Sequence, residues 1–477
     1  MAHVGGESRY QRFLMTPSLD ELVGAEHPVR VIDAFVDTLD LQALNFSKVA
    51  AESTGRPPYR PSDLLKLYIY GYVNQIRSSR RLEREAVRNI EVHWLVNRIE
   101  PSFKTIADFR KDHPEAIVGV CRAFVRFCRG QSLYGGELAA IDGTKIEAVA
   151  SRKKVVTPKT LDKQMARLDA KIAGYLAAMD EADRLETPCA TGPETVAKAL
   201  ADLRRKREEV QAQAKALADQ GLSQKVIGES EARLMKTARH GHQVAYNAQS
   251  VVDAEHGLIV AFDLTNDCND QRQLLPMAKA GKAALEVETL IALADTGYSN
   301  GEQGQGCAEA GIVAIVPRPE TVNTEGKSLF GRDRFRYDAQ SDSWQCPAGQ
   351  TLSLGRISYT EQKKHYWNNR ACSECALKPQ CTQAAKRTVV RGFHEDAREA
   401  MHQRAKSDPK WMKQRRELVE HPFGTMKWMM GYPRFLLRGL TKAKAELALG
   451  VLGYNLKRAI AILGTQELLQ GLQGAPP

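Results

Sequence analysis

Leu138-Ala139-Ala140-Ile141-Asp142-Gly143-Thr144-Lys145-Ile146 is a short apolar run broken by an aspartate and a glycine. It is too short for a helix, so it predicts a buried strand with Asp142 near its end. The pattern recurs downstream, where the apolar run 290–294 ends in Asp295-Thr296-Gly297 and the run 312–316 ends at Pro317. Between them, 244–252 and 258–264 predict a hairpin around Ala254-Glu255-His256-Gly257. Helical stretches at 271–285 and 301–310 separate the later strands. A meander followed by strand-helix-strand units predicts an α/β protein whose mixed sheet is covered by helices. In such sheets chemistry gathers at the carboxyl ends of parallel strands. That makes Asp142 and Asp295 catalytic candidates, although a single Asp there also serves as a turn former, because it bonds its own downstream backbone.

Outward from this core the chain divides by composition. Residues 1–130 read as an all-helical domain: Leu65, Tyr68, Ile69 and Tyr72 follow a helical period after Pro61, with Ser62 as the expected N-cap. Helices are expected over 80–97 and 103–112, the latter with Ile106 and Phe109 inward and Lys104, Arg110 and Lys111 outward. This pair could be a DNA-binding helix-turn-helix or part of a plain bundle. The core is expected at 137–158, 223–335 and 383–464, interrupted by two insertions and followed by a tail, 465–477. The first insertion, 159–222, is rich in Ala, Lys, Arg and Glu and reads as a helical hairpin broken near Thr187-Pro188 and Thr191-Gly192-Pro193. The second, 336–382, is a Cys-, Trp- and Tyr-containing block.

Of the 477 residues, 43% are hydrophobic and 26% charged, which describes a globular chain long enough to build its own core. No apolar run approaches the ~20 residues of a bilayer span, and Met1 to Tyr10 lack the apolar stretch of a secretory signal. A cytoplasmic protein with no membrane partner is the expectation. The net charge of +11 favours a polyanionic partner, and residues 386–439 alone hold thirteen Lys/Arg against six Asp/Glu.

A third carboxylate comes from that basic stretch, in Arg415-Arg416-Glu417-Leu418-Val419-Glu420-His421-Pro422-Phe423-Gly424-Thr425-Met426-Lys427. On an ideal helix Arg416, Glu420 and Lys427 share a face, since steps of four and eleven residues nearly close whole turns. An ion-pair ladder on the surface would look the same. Pro422 invites a kink, because it has no N–H and crowds the carbonyl of Leu418. Three carboxylates from two strands and a helix would suit Mg²⁺ or Mn²⁺, and two such ions can drive phosphodiester cleavage.

Taken in order, Ala140-Ile141-Asp142-Gly143-Thr144, Ala294-Asp295-Thr296-Gly297-Tyr298 and Arg416-x3-Glu420-x6-Lys427 resemble the motifs of DDE transposases of bacterial insertion sequences. The family's Tyr-x2-Arg-x3-Glu-x6-Lys signature is met except at its first position, where Lys413 stands. Gly241-His242-Gln243-Val244-Ala245-Tyr246-Asn247-Ala248-Gln249, Gly453-Tyr454-Asn455-Leu456-Lys457-Arg458 and Tyr59-Arg60-Pro61 also resemble family blocks. The resemblance implies a ribonuclease H-like catalytic core and cleavage at element ends, with transfer of the 3′ hydroxyls into target DNA. It further implies Asp142, Asp295 and Glu420 as holders of Mg²⁺ or Mn²⁺, with Arg416 and Lys427 on phosphates. The implied partners are double-stranded DNA, as terminal inverted repeats and target, and further copies of the chain in a homodimer or larger assembly. A ribonuclease H-like nuclease and a non-cutting DNA-binding derivative remain as alternatives.

Nine cysteines in a cytoplasmic chain argue against structural disulfides. Cys121, Cys128, Cys189, Cys268 and Cys307 lack ligand spacing. Cys346, Cys372, Cys375 and Cys381 lie within 36 residues, one pair spaced x2, which predicts a structural Zn²⁺ site.

Overall fold

The computed structural model describes residues 17–50, 57–184, 193–237, 241–319, 329–429, 431 and 433–474. Its centre is a sheet of strands β1 (Leu138–Glu147), β2 (Gly241–Asp253), β3 (Ile259–Thr265), β4 (Leu290–Leu293) and β5 (Ile312–Ile315). Across the sheet the order is β3-β2-β1-β4-β5, with Arg233–Thr237 as a sixth strand beside the start of β2. β2 runs antiparallel to β1 and β3, whereas β1, β4 and β5 are parallel. The expected hairpin is therefore present, as is the change from meander to parallel crossovers. Alternation along β1 sends Ala139 and Ile141 to one face and Ala140 to the other.

The N-terminal helices are α1 (Val29–Asp37), α2 (Pro61–Val73), α3 (Ser79–Arg88), α4 (Phe103–Asp112) and α5 (Pro114–Gly130). In α2 the cap is Arg60 and Pro61 takes the first helical position, so Ser62 is not the N-cap. Proline suits that position because its missing N–H would be unbonded there anyway. The single helix expected over 80–97 is two, because the Asn89 side chain accepts from the N–H groups of Glu91 and Val92 and starts Ile90–Leu95 afresh. Ile106 and Phe109 are buried as expected, but so is Arg110, at 4% exposure. Its guanidinium donates to the Tyr72 hydroxyl and the Arg77 carbonyl and lies over the Tyr68 ring, partners that hold it inward.

Helices α6 (Pro158–Arg184) and α7 (Pro193–Asp219) form the hairpin, with Leu161 against Leu217 at its base and Arg207 paired to Asp169 along its length. Its expected break and Cys189 lie outside the described residues. Helices α8 (Leu274–Leu285) and α9 (Gly301–Glu309) cover one sheet face. Strands β6 (Arg336–Asp338), β7 (Ser343–Gln345), β8 (Thr351–Ser358), β9 (Lys363–Trp367) and β10 (Val389–Gly392) make a second, antiparallel sheet. Helices α10 (Glu395–Ser407), α11 (Lys410–Gly424) and α12 (Leu440–Gln473) complete the chain, and α11 lies against β1 on the Asp142 side.

By length and hydropathy α12 could cross a membrane, although charged residues interrupt its apolar stretch, yet 61% of its apolar window is buried inside the protein. It is a core helix. Leu447, Leu449 and Leu452 pack in one continuous cluster with Leu65, Phe124 and Tyr246.

Candidate active site

The parallel ladder between β1 and β4 ends at the pair Ala140–Leu293. Asp142 and Asp295 each come two residues later, so register alone brings them side by side on strands ~4.8 Å apart. Asp295 also acts as the turn former, accepting from Gly297 N–H at 2.8 Å. Arg415 on α11 joins the two: its Nη2 donates to Asp142 Oδ1 and lies 3.6 Å from Asp295 Oδ2. Asp142 is pushed up to about 6, first by burial and then by the neighbouring Asp295 and Asp270 charges, with Arg415 opposing. The buried Arg415 Nε has no hydrogen-bond partner.

Around α11 the helix phase differs from the ideal one. Arg415, Val419, Pro422 and Met426 turn inward, while Arg416, Glu417 and Glu420 are exposed. The helix runs through Pro422 and gives way to a π-turn, Thr425–Met429. Its extra residue per turn rotates the side chains within it relative to α11, and Lys427 Nζ donates to Thr144 Oγ1, two residues from Asp142. The structure thus gathers Asp142, Asp295 and Lys427 with Arg415, a residue the sequence reading placed only within the basic run. Glu420 and Arg416 stand on the outer side of the helix. Lys104 and Lys111 are exposed on α4, whereas Arg110 is interior and unavailable to DNA.

Asp270, a carboxylate that carries no motif of its own, is the second functional residue not singled out by sequence pattern. It accepts from Lys145, Asn247 and Gln249. Its one sequence signal is its place just after the β3 end.

Among the described residues no three His, Cys, Asp or Glu side chains close on a point as a metal group. The chemistry of the donors nonetheless fits a hard cation. Asp142 and Asp295 are oxygen donors whose crowding at a half-buried position calls for positive charge, here supplied by Arg415. In the second sheet, Cys346, Cys372, Cys375 and Cys381 line one cavity of about 30 Å³. Burial raises the Cys381 thiol, as do the other three sulfurs, against the lowering effect of Arg387. Four thiols suit Zn²⁺ in kind and number, but no three of them close on one point.

Comparison with known families finds two matches. Residues 17–112 are similar to the family described as "Transposase domain (DUF772)", and residues 345–460 to "Transposase DDE domain". The second segment contains the four clustered cysteines, Arg415 and Glu420, and neither contains Asp142 or Asp295. No curated protein matches the chain. Among solved structures, the piggyBac transposase synaptic complex with hairpin DNA is similar over 95% of this chain and 80% of that one. The identity is 8% and the TM-score 0.31, a likeness too slight to carry an argument.

Proposed function

We propose, for a chain that is a DDE-type transposase of an insertion-sequence family, that it cuts DNA at the element's ends and joins the freed 3′ hydroxyls to target DNA. The observation carrying this reading is the register that sets Asp142 beside Asp295 against a cationic helix. The β3-β2-β1-β4-β5 order, with only β2 reversed, supports a ribonuclease H-like core.

Asp142 and Asp295 would hold Mg²⁺ or Mn²⁺, and Glu420, which stands on the outer side of α11, would serve as the third ligand once α11 turns it towards them. Such ions, when bound, activate an attacking oxygen and stabilise a leaving one. The chain's own groups bind and orient. Lys427 fixes Thr144 and presents positive charge beside the aspartates, Arg416 meets a phosphate on the outer side of α11, and Arg415 balances the two carboxylates. Lys104 and Lys111 contribute DNA contacts from α4, and two or more copies act on paired ends, in the cytoplasm on the nucleoid. Cys346, Cys372, Cys375 and Cys381 would hold Zn²⁺ in a structural role, supporting the second sheet that leads by way of α10 to α11.

The test is incubation of purified protein with a duplex carrying the element end and Mg²⁺. Nicked and joined products are expected, lost in Asp142→Ala, Asp295→Ala and Glu420→Ala but not Glu417→Ala, with end binding retained. Cleavage without joining would favour a nuclease, and binding without cleavage a non-cutting derivative.

A further inference from the structure

The face of β1 turned away from Asp142 carries a buried polar network that this chemistry leaves unused. Gly143 and Lys145 pair across the ladder with Gln249 and Asn247, and above these four sits Asp270. Asp270 Oδ1 accepts from Asn247 Nδ2 at 2.7 Å, Gln249 Nε2 at 2.7 Å and Lys145 Nζ at 3.1 Å. Gln249 in turn accepts from the Tyr298 hydroxyl at 2.5 Å. Asn247 and Gln249 are fully buried and Tyr298 nearly so.

This network touches the backbone of both aspartate-bearing segments. A Cβ at Gly143 would lie 2.3 Å from Gln249 Nε2, 2.7 Å from Asp270 Oδ1 and 3.0 Å from the Tyr298 hydroxyl. Only a glycine lets the chain beside Asp142 rest directly on these groups. A Cβ at Gly297 would lie 3.8 Å from Asp270 Oδ2 and 3.0 Å from Asp295 Oδ1, so Asp270 also backs the turn that carries Asp295. The location matters because the β1–β4 ladder stops at Ala140–Leu293. Beyond that pair no backbone bond between the two strands fixes how far apart the aspartates stand.

We infer that Asp270 is a positioning residue of the two-aspartate centre, setting the spacing of Asp142 and Asp295 through Gln249 and Tyr298 where the strand ladder no longer does. Lys145 offsets its charge, so the strut is held by charge-assisted bonds, which are shorter and stronger than neutral ones. The inference deepens the proposed function and rests on it.

The experiment measures Mn²⁺ binding to the purified full chain, free of DNA, by the paramagnetic resonance of unbound Mn²⁺, with thermal stability monitored in parallel. Asp270→Asn is expected to weaken Mn²⁺ binding on the order of tenfold or more, as loss of a group that orients metal ligands does. Tyr298→Phe removes one hydroxyl and Gly143→Ala intrudes on the network, and both should weaken binding in the same direction. With DNA ends and Mn²⁺ present, kcat per folded molecule should fall while KM for DNA stays at the wild-type value; unfolded protein would lower the apparent kcat in the same way, so rates are referred to the folded fraction that the thermal melts give. Should Asp270→Asn fail to fold, Tyr298→Phe decides. Wild-type Mn²⁺ affinity in the folded variants overturns the inference. Absence of Mn²⁺ binding by the wild-type chain, or unchanged binding in Asp142→Asn, overturns the proposed function and this inference with it.

Discussion

Arg110 and its neighbours on α4 separate two uses of positive charge. Arg110 is interior and bonded to Tyr72 and the Arg77 carbonyl, while Lys104 and Lys111 face solvent. Arg110→Ala should therefore cost about 1–3 kcal/mol of stability, because it strips partners from buried polar groups, and leave the salt dependence of DNA binding intact. Lys104→Ala and Lys111→Ala should leave the melting temperature unchanged and each lower the slope of log affinity against log salt by about one. Titrations at several salt concentrations beside thermal melts check both. Asp342 gives a pH prediction. Burial opposes its charge, but bonds from Lys364, Tyr337 and Tyr366 win and hold it at about 2, below its ordinary 3.8. Being depressed in the fold, it contributes stability above pH 3.8 that is lost as pH falls towards 2. Near-ultraviolet circular dichroism of the Trp344 region should show the second sheet loosening across that window, and Asp342→Asn should lose the pH-dependent component.

The elements are joined through a few interior polar groups. Asn455 on α12 donates to the carbonyl of Ile259 and accepts from its N–H, pairing a helix side chain with the start of β3, while Tyr454 donates to the Gly257 carbonyl. Gly453-Tyr454-Asn455-Leu456-Lys457-Arg458 thus pins α12 to the β2–β3 turn. Glu446, fully buried on the same helix, accepts from Arg77 at 2.7 Å and from the N–H groups of Leu436 and Leu437. Arg77 also donates to the carbonyls of Gly431 and Arg434. One ion pair therefore ties the N-terminal helices to the segment just past Lys427. Glu446→Ala should destabilise the protein by about 3–5 kcal/mol, since it leaves the Arg77 charge buried without its counter-ion. Calorimetric unfolding measures this, and a loss below about 1 kcal/mol, the ordinary worth of an exposed pair, would show that the clip is not needed.

Over the whole molecule a single apolar cluster runs from α1 and α2 through α5, β2 and β3 to α12. The helices expected to form a separate DNA-binding unit bury their apolar faces against the last helix of the chain. A fragment of residues 17–130 should consequently lack a cooperative thermal transition, because it exposes surface that Leu449 and Leu452 cover. Adding a chain spanning 431–474 should restore structure if the shared core is the cause. The second sheet differs, since Phe335, Trp344, Leu352, Tyr366 and Val389 give it a small core of its own. Metal is thus not its sole means of order, contrary to what its lack of apolar runs suggests.

The strands, their change from antiparallel to parallel, the hairpin arm and the adjacency of Asp142 and Asp295 are legible in the sequence, because each is written in local pattern: short apolar runs, turn residues and spacing. Helix phase around Glu420 was not legible. An ideal helix places Arg416, Glu420 and Lys427 together, whereas packing of Val419, Pro422 and Met426 against the rest of the protein turns Arg415 inward, and the π-turn resets Lys427. The burial of Arg110 escaped local reading for the same reason, since its partners Tyr72 and Tyr68 lie on another helix. Asp270 sits in an unremarkable loop and gains its place only when Lys145, Asn247 and Gln249 converge from two strands. Local sequence determines which elements form and what they carry. Which face each element shows to the others is settled by the shared core, where burial of side chains distant in sequence outweighs the preference of any one segment.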